Sequence, residues 1–245
     1  MFKSYAILPR IEADRQILFQ STIRREMSFR EFIAAQREDL PILLTREHVA
    51  GRTIVFTGAN RGIGLEAARH VAQLGVARLI LAVRSVSAGM EAKADIEDSF
   101  VDEPPSTSAR QNESDPKPVV EVWRLDLADW TTVRAFAERA SRELDRLDVL
   151  VQNASAALDV FGTNEHGYER NIAANVFGTV MLAMMLLPKM RDTATHFDSL
   201  PHSVILTSGF GFEQQSVLEF LDAGGGVFGE LNKEDGKSPM SGTKR

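Results

Sequence analysis

Five short runs of mostly β-branched and aliphatic residues punctuate the chain: TIVFT (Thr53–Thr57), RLILAV (Arg78–Val83), VVEVWRL (Val119–Leu125), LDVLVQ (Leu147–Gln152) and SVILT (Ser203–Thr207). Runs this continuously apolar suit strands buried on both faces, as parallel strands are when helices cover their sheet. The stretches between them, Gly64–Leu74, Ala88–Phe100, Thr131–Leu144 and Tyr168–Met190, carry apolar residues at helical spacing. Strands alternating with helices through right-handed crossovers predict an α/β fold, a doubly wound parallel sheet with strand order 3-2-1-4-5.

At 245 residues the chain suits one large α/β domain. Residues 1–50 lack a strand pattern and are expected to form an N-terminal extension, with residues 51–245 as the single domain. Within the extension, Ser28 and Glu31 form a capping-box pattern, and Phe29, Phe32 and Ile33 share one face of a short docking helix ending near Pro41. Met27 directly precedes it and is a candidate start, which would make residues 1–26 an extension without structural purpose. The polar segment Asp102–Pro118, rich in proline and serine, predicts a mobile surface insertion, and the glycine-rich Asp222–Gly229 a flexible loop.

Several classes of function are excluded by composition. A net charge of −6 argues against a nucleic-acid surface, and the absence of cysteine removes disulfides, thiolate metal ligands and a cysteine nucleophile. The histidines show no metal-ligand spacing; His70 and Glu66 share a helical face and read as a solvated pair. Ser208 in LTSGF lacks the strained Gly-x-Ser-x-Gly elbow of a hydrolase. The longest apolar run, Val180–Leu187, is shorter than the ~20 residues of a membrane span and predicts a buried helix. Acidic residues among the N-terminal arginines weaken a mitochondrial targeting reading, and no secretory segment is seen, so the expected location is cytoplasmic.

TGANRGIG, Thr57–Gly64, follows a strand and opens a helix. Such a turn brings the backbone close to a pyrophosphate and aims free amides and the helix dipole at its charge. The strand RLILAV ends without the acidic residue that would bind the ribose 2′-hydroxyl of NAD, and carries Arg84 there instead. With Arg61 inside the glycine turn, two guanidiniums suit a 2′-phosphate, so the expected cofactor is NADP(H).

The Gly-x-x-x-Gly-x-Gly spacing after Thr57 resembles that of the short-chain dehydrogenase/reductase family, and four further motifs follow in the family's order: RLDLAD, VQNASA, AANVFG and ILTSG. The resemblance covers residues 51–211 and leans toward retinol-dehydrogenase-like members and reductases of natural-product pathways. It implies a Rossmann-type domain with cofactor contacts at Gly58, Arg61, Gly62, Ile63, Gly64, Arg84, Asp126, Leu127, Asn153 and Ala154. In that scheme Asp126 bonds the adenine amino group, Leu127 presents its backbone and Asn153 stabilises the sheet beside the cofactor. Ser155 stands where glycine is usual. Ser208 and Asn175 are the implied catalytic residues, for interconversion of a carbonyl and an alcohol on a small or mid-sized apolar substrate.

The family's remaining catalytic pair is a tyrosine with a lysine four residues later, the cation bringing a phenol of pKa about 10 toward neutrality. Neither Tyr5 nor Tyr168, the only tyrosines, has that lysine, and both precede Ser208. Tyr168, seven residues before Asn175, is a poor substitute. The expectation is therefore a chain ending before Tyr-x-x-x-Lys and lacking the last strands of the family fold. An alternative is a non-catalytic nucleotide-binding module. With no following family helix to cover them, Phe177, Val180, Met181, Met184 and Met185 are expected to leave an exposed patch and favour self-association through the helix spanning Asn175–Met185.

Overall fold

The computed structural model describes residues 29–35, 37–38, 41–99, 117–158, 160–208 and 232. Met27, Ser28, most of the Asp102–Pro118 insertion and the Asp222–Gly229 stretch lie outside the described residues. The chain divides into two compact units, Met1–Leu43 and Leu44–Arg245. Helix α1 (Phe29–Ala35) belongs to the first unit.

In the second unit, a short helix α2 (Arg46–Val49) precedes the alternating elements. These are β1 (Thr53–Thr57), α3 (Gly62–Gln73), β2 (Arg78–Val83), α4 (Val86–Asp98), β3 (Val119–Arg124), α5 (Trp130–Glu143), β4 (Val149–Gln152), α6 (Arg170–Phe197) and β5 (His202–Ile205). All strand pairs are parallel, in the order β3-β2-β1-β4-β5. The fold is the doubly wound α/β sheet that the strand–helix alternation predicts.

Period-two side-chain alternation divides the core into two layers. Val55, Ile80, Ala82, Trp123 and Leu150 point to one face, where α5 supplies Val133 and Phe136 and α6 supplies Leu182, Leu186 and Met190. Ile54, Phe56, Leu79, Leu81 and Val83 point to the other, against Ala68 and Val71 of α3 and Ile96 of α4. Because β1 and β2 are covered on both faces, alternation disappears from their sequences and only the apolar run remains. Among the described residues β3 and β5 are the outer strands, and every residue of β5 is exposed.

The amino-terminal ends of β1 and β4 are tied together by Asp148. Its carboxylate, wholly buried, accepts from Thr53 N (2.9 Å) and from Arg146 Nε and Nη2 (2.7 and 2.6 Å). At the β3 edge, Arg78 Nε and Trp123 Nε1 donate to Glu121 (2.6 and 3.0 Å), and Arg139 lies 3.9 Å from the Trp123 ring centroid. Burial pushes the Glu121 carboxyl up, but the hydrogen bonds from Arg78 and Trp123 and the nearby guanidiniums outweigh it and hold the group below its ordinary 4.5.

The boundaries of α3, α4 and α5 fall within about two residues of expectation, the usual uncertainty of a helix end, whereas α1 ends at Ala35, short of Pro41, and α2 was not expected. α6 differs. It runs past Met190 to Phe197 with Pro188 inside it. Pro188 and Met184, whose carbonyl loses its intrahelical donor there, are both exposed, so water can take that carbonyl. Over its 28 residues α6 is also long and apolar enough, by length and composition, to cross a membrane, with a mean hydropathy of 1.6 in its most apolar window. Counting only consecutive apolar residues misses this. In the fold α6 lies on the sheet, and Thr193 Oγ1 accepts from Leu147 N (2.8 Å). Glu66 pairs with Arg69 (3.1 Å) rather than His70, because Asp95 of α4 draws the same guanidinium across (2.7 Å).

Candidate functional site

The strand order changes direction between β1 and β4, and open α/β sheets bind ligands beyond the carboxyl ends of their strands at such a switch point. Two segments flank this crevice, Thr57–Gly64 after β1 and Asn153–Leu158 after β4. They are bonded to each other. Thr57 Oγ1 accepts from Asn153 N (3.1 Å) and Ala154 N (3.0 Å), while Asn153 Nδ2 donates to Thr57 O (3.2 Å) and Gly58 O (3.3 Å).

Glycines make that closeness sterically feasible. Gly58 and Gly62 have φ of 68° and 56°, in the left-handed region that side chains disfavour. A Cβ on Gly58 would stand 2.9 Å from Ala154 Cα, and one on Gly64 would overlap Asn153 Nδ2 and stand 2.7 Å from Gly58 O. α3 begins without a side-chain cap on Arg61 and without an acidic residue in its first turn, so its leading N–H groups and positive dipole end are left for another partner. Arg61, Gly62 and Ile63 are exposed there, and Gly64 is buried.

Arg84, immediately after β2, is also exposed, and among the described residues neither its guanidinium nor that of Arg61 has a hydrogen-bond or ion-pair partner. Asp126, past the end of β3, is half-buried; its Oδ1 accepts from Ala128 N (3.0 Å), closing the local turn. The cap of α5 is Asp129, which accepts from Thr131 N (3.1 Å) and Thr132 N (3.4 Å). The Thr131 hydroxyl, with these amides, holds the Asp129 carboxyl below its ordinary range.

α6 opens with a π-helical segment, Ala173–Gly178. A π turn leaves carbonyls without their usual donors and is frequent at functional sites. Here Trp130 Nε1 donates to Ala173 O (3.4 Å) and Thr179 Oγ1 to Ala174 O (3.1 Å). Asn175 uses its side chain structurally: Oδ1 accepts from Ala156 N (2.7 Å) and Nδ2 donates to Ala156 O (2.8 Å). Ser208 is exposed three residues beyond β5, which leaves the sheet beside the Asn153–Leu158 segment. Tyr168 belongs to an aromatic group, 4.9 Å from Phe177 and 5.6 Å from Trp130 between centroids.

Glycine-turn residues, Asn153, Ala154 and Asn175 thus converge on one crevice, with Arg84 and Asp126 at the ends of the neighbouring strands. Two residues not singled out from the sequence also matter here. Gly178 allows Leu127 O to lie against the π segment, where any Cβ would overlap that oxygen. Its signal is the glycine three residues after Asn175 in the AANVFG motif. Asn171 is the other: its Oδ1 accepts from Leu158 N (2.9 Å) and its Nδ2 donates to Leu158 O (3.2 Å).

Residues 52–196 match the family model described as short chain dehydrogenase. A short chain dehydrogenase/reductase of Cryptosporiopsis sp. is 42% identical over 159 residues, covering 65% of this chain and 45% of that protein. A short chain dehydrogenase of Gibberella zeae is 36% identical over 209 residues, covering 85% and 55%. The chain therefore spans about half the length of the curated relatives it matches. Among solved structures, a metagenomic short-chain oxidoreductase in complex with NADP aligns over 71% of this chain and 78% of its own, at 23% identity and a TM-score of 0.50, a likeness of fold. On its matched region, its motifs and its strand order, the chain belongs to the short-chain dehydrogenase family of oxidoreductases.

Proposed function

We propose that this chain binds NADP(H) in the β1/β4 crevice and serves the interconversion of a carbonyl and an alcohol on a small apolar substrate, in the cytoplasm and in a natural-product pathway. The observation that carries the cofactor reading is an uncapped, glycine-lined helix start with two exposed guanidiniums, Arg61 and Arg84, that have no protein partner among the described residues. Backbone amides from Gly62 to Gly64 suit a diphosphate, and the guanidiniums suit the extra phosphoryl group of NADP. Asp126 retains a carboxylate oxygen beyond the one bonded to Ala128 for the adenine amino group, with the Leu127 backbone beside it. Asn153 and Ala154 form the opposite wall.

When bound, the nicotinamide supplies or accepts hydride. In this reading the Ser208 hydroxyl orients the substrate oxygen. Asn175, whose side chain is committed to Ala156, acts through the backbone of the π segment.

Calorimetry of the purified chain with NADPH and NADH tests the cofactor assignment. Arg84→Asp is expected to reduce NADPH affinity about tenfold to hundredfold, since hydrogen bonds to charged groups are worth about 1.5–3 kcal/mol, and to spare or improve NADH. An unchanged preference refutes the role of Arg84. The sequence holds no Tyr-x-x-x-Lys, which favours a second reading in which this stretch of chain binds dinucleotide without turnover. NADPH binding with no reduction of any carbonyl by this chain would support it.

Of the five side chains expected to form an apolar patch, Val180, Met184 and Met185 are exposed while Phe177 and Met181 are half-buried; Val180 and Met184, with Val176 and Leu187 in the same stripe of α6, read as a self-association face. Met184, 63% exposed, is its centre. Met184→Glu is expected to shift sedimentation toward the monomer; a wild-type monomer at the highest attainable concentration contradicts the assignment.

A further inference from the structure

Two asparagines on α6 hold the same segment after β4 in the same way. Asn175 offers its carboxamide to both backbone groups of Ala156, and Asn171, 4% exposed, does so to both backbone groups of Leu158. A carboxamide presents the same donor–acceptor pair that a neighbouring strand would.

Asn171 is itself fixed. Buried Glu169 accepts from Asn171 N and Ile172 N (both 2.9 Å), and the Asn232 carboxamide accepts from Glu169 N and donates to Gly167 O. The Asn171 side chain therefore leaves an anchored backbone, and little entropy remains to be lost in clipping Leu158.

We propose that Asn171 is a positioning residue for the nicotinamide end of the dinucleotide. By holding Leu158 it keeps Asn153–Leu158 against α6 as one unit with the Asn175 clip, and so sets the wall of the crevice facing the ring. The adenosine end, at Arg61, Arg84 and Asp126, lies beyond its reach. This inference rests on the dinucleotide reading above.

The test compares wild type with Asn171→Ala and Asn171→Asp in the full chain, using 2′,5′-ADP as a probe of the adenosine end and NADPH as a probe of both. Asn171→Ala is expected to weaken NADPH about tenfold and change the emission of its bound dihydronicotinamide, while leaving 2′,5′-ADP within about twofold, with Asn171→Asp intermediate. Amide exchange should quicken at both Ala156 and Leu158. Equal weakening of both probes, unchanged NADPH affinity and emission, or quickening at Leu158 alone overturns the proposal. If Asn171→Ala does not fold, Asn171→Asp, which keeps the acceptor for Leu158 N, carries the same comparison. A wild-type chain that binds neither probe overturns the dinucleotide reading and this inference with it; wild-type binding with unaltered variants overturns this inference alone.

Discussion

Replacing Asp148 with alanine is expected to lower folding stability by about 3–5 kcal/mol, the range for breaking a buried ion pair from one side. Three donors converge on this carboxylate: Thr53 N and two nitrogens of Arg146. Removing it leaves the Arg146 guanidinium and the first amide of β1 without an acceptor where β1 meets β4. The Arg146 side chain is 22% exposed, so water recovers part of the loss and the lower end of the range is expected. Asp148→Asn retains an acceptor for Thr53 N and should cost less, about 1–3 kcal/mol. Urea unfolding followed by far-ultraviolet circular dichroism measures both. A loss below about 1 kcal/mol for the alanine variant would show that the pair is dispensable. Since Asp148 lies at the amino-terminal ends of the strands, NADPH affinity of the folded variant should not change.

Gly64→Ala should do the reverse, damaging the ligand site more than the fold. The new methyl would overlap Asn153 Nδ2 and press on Gly58 O, and both atoms belong to the hydrogen-bonded junction between the two walls of the crevice. Overpacking of this kind costs about 1–3 kcal/mol. Relief requires either α3 to withdraw or Asn153 to give up its bonds to Thr57 and Gly58, and either movement spoils the alignment of amides with a diphosphate. NADPH affinity is expected to fall on the order of a hundredfold, or about 2.7 kcal/mol. Calorimetry beside a thermal melt separates the two effects. A variant of normal affinity would mean that the diphosphate is not held by the start of α3.

Sheet topology was readable from the chain because its cause is local and repetitive. The interior positions of TIVFT and RLILAV are apolar throughout because helices cover them on both sides, and that burial leaves the same mark in each strand. The glycine turn was readable for a related reason: left-handed φ at Gly58 and Gly62 demands a residue type, so the geometry is written into the composition. Elsewhere local pattern misled. Glu66 and His70 share a helix face, yet Glu66 joins Arg69, whose other partner Asp95 sits on α4, 26 residues away. Past the expected end at Met190, α6 continues to Phe197 with Pro188 inside it, on an exposed side that tolerates the lost hydrogen bond.

By itself, then, the sequence determined the alternation of strands and helices, the parallel order they adopt, the glycine-rich start of α3 and the family to which those motifs belong. Periodicity and residue-type restrictions act over a few neighbouring positions, and a single chain displays them in full. Only the tertiary structure decided that Asn171 and Asn175 clip Leu158 and Ala156, that Leu127 O lies against Gly178, and that Asp148 ties β1 to β4. Each of those contacts joins segments whose separation depends on how loops return to the sheet, and an asparagine, glycine or aspartate carries no mark of the distant backbone group it will meet.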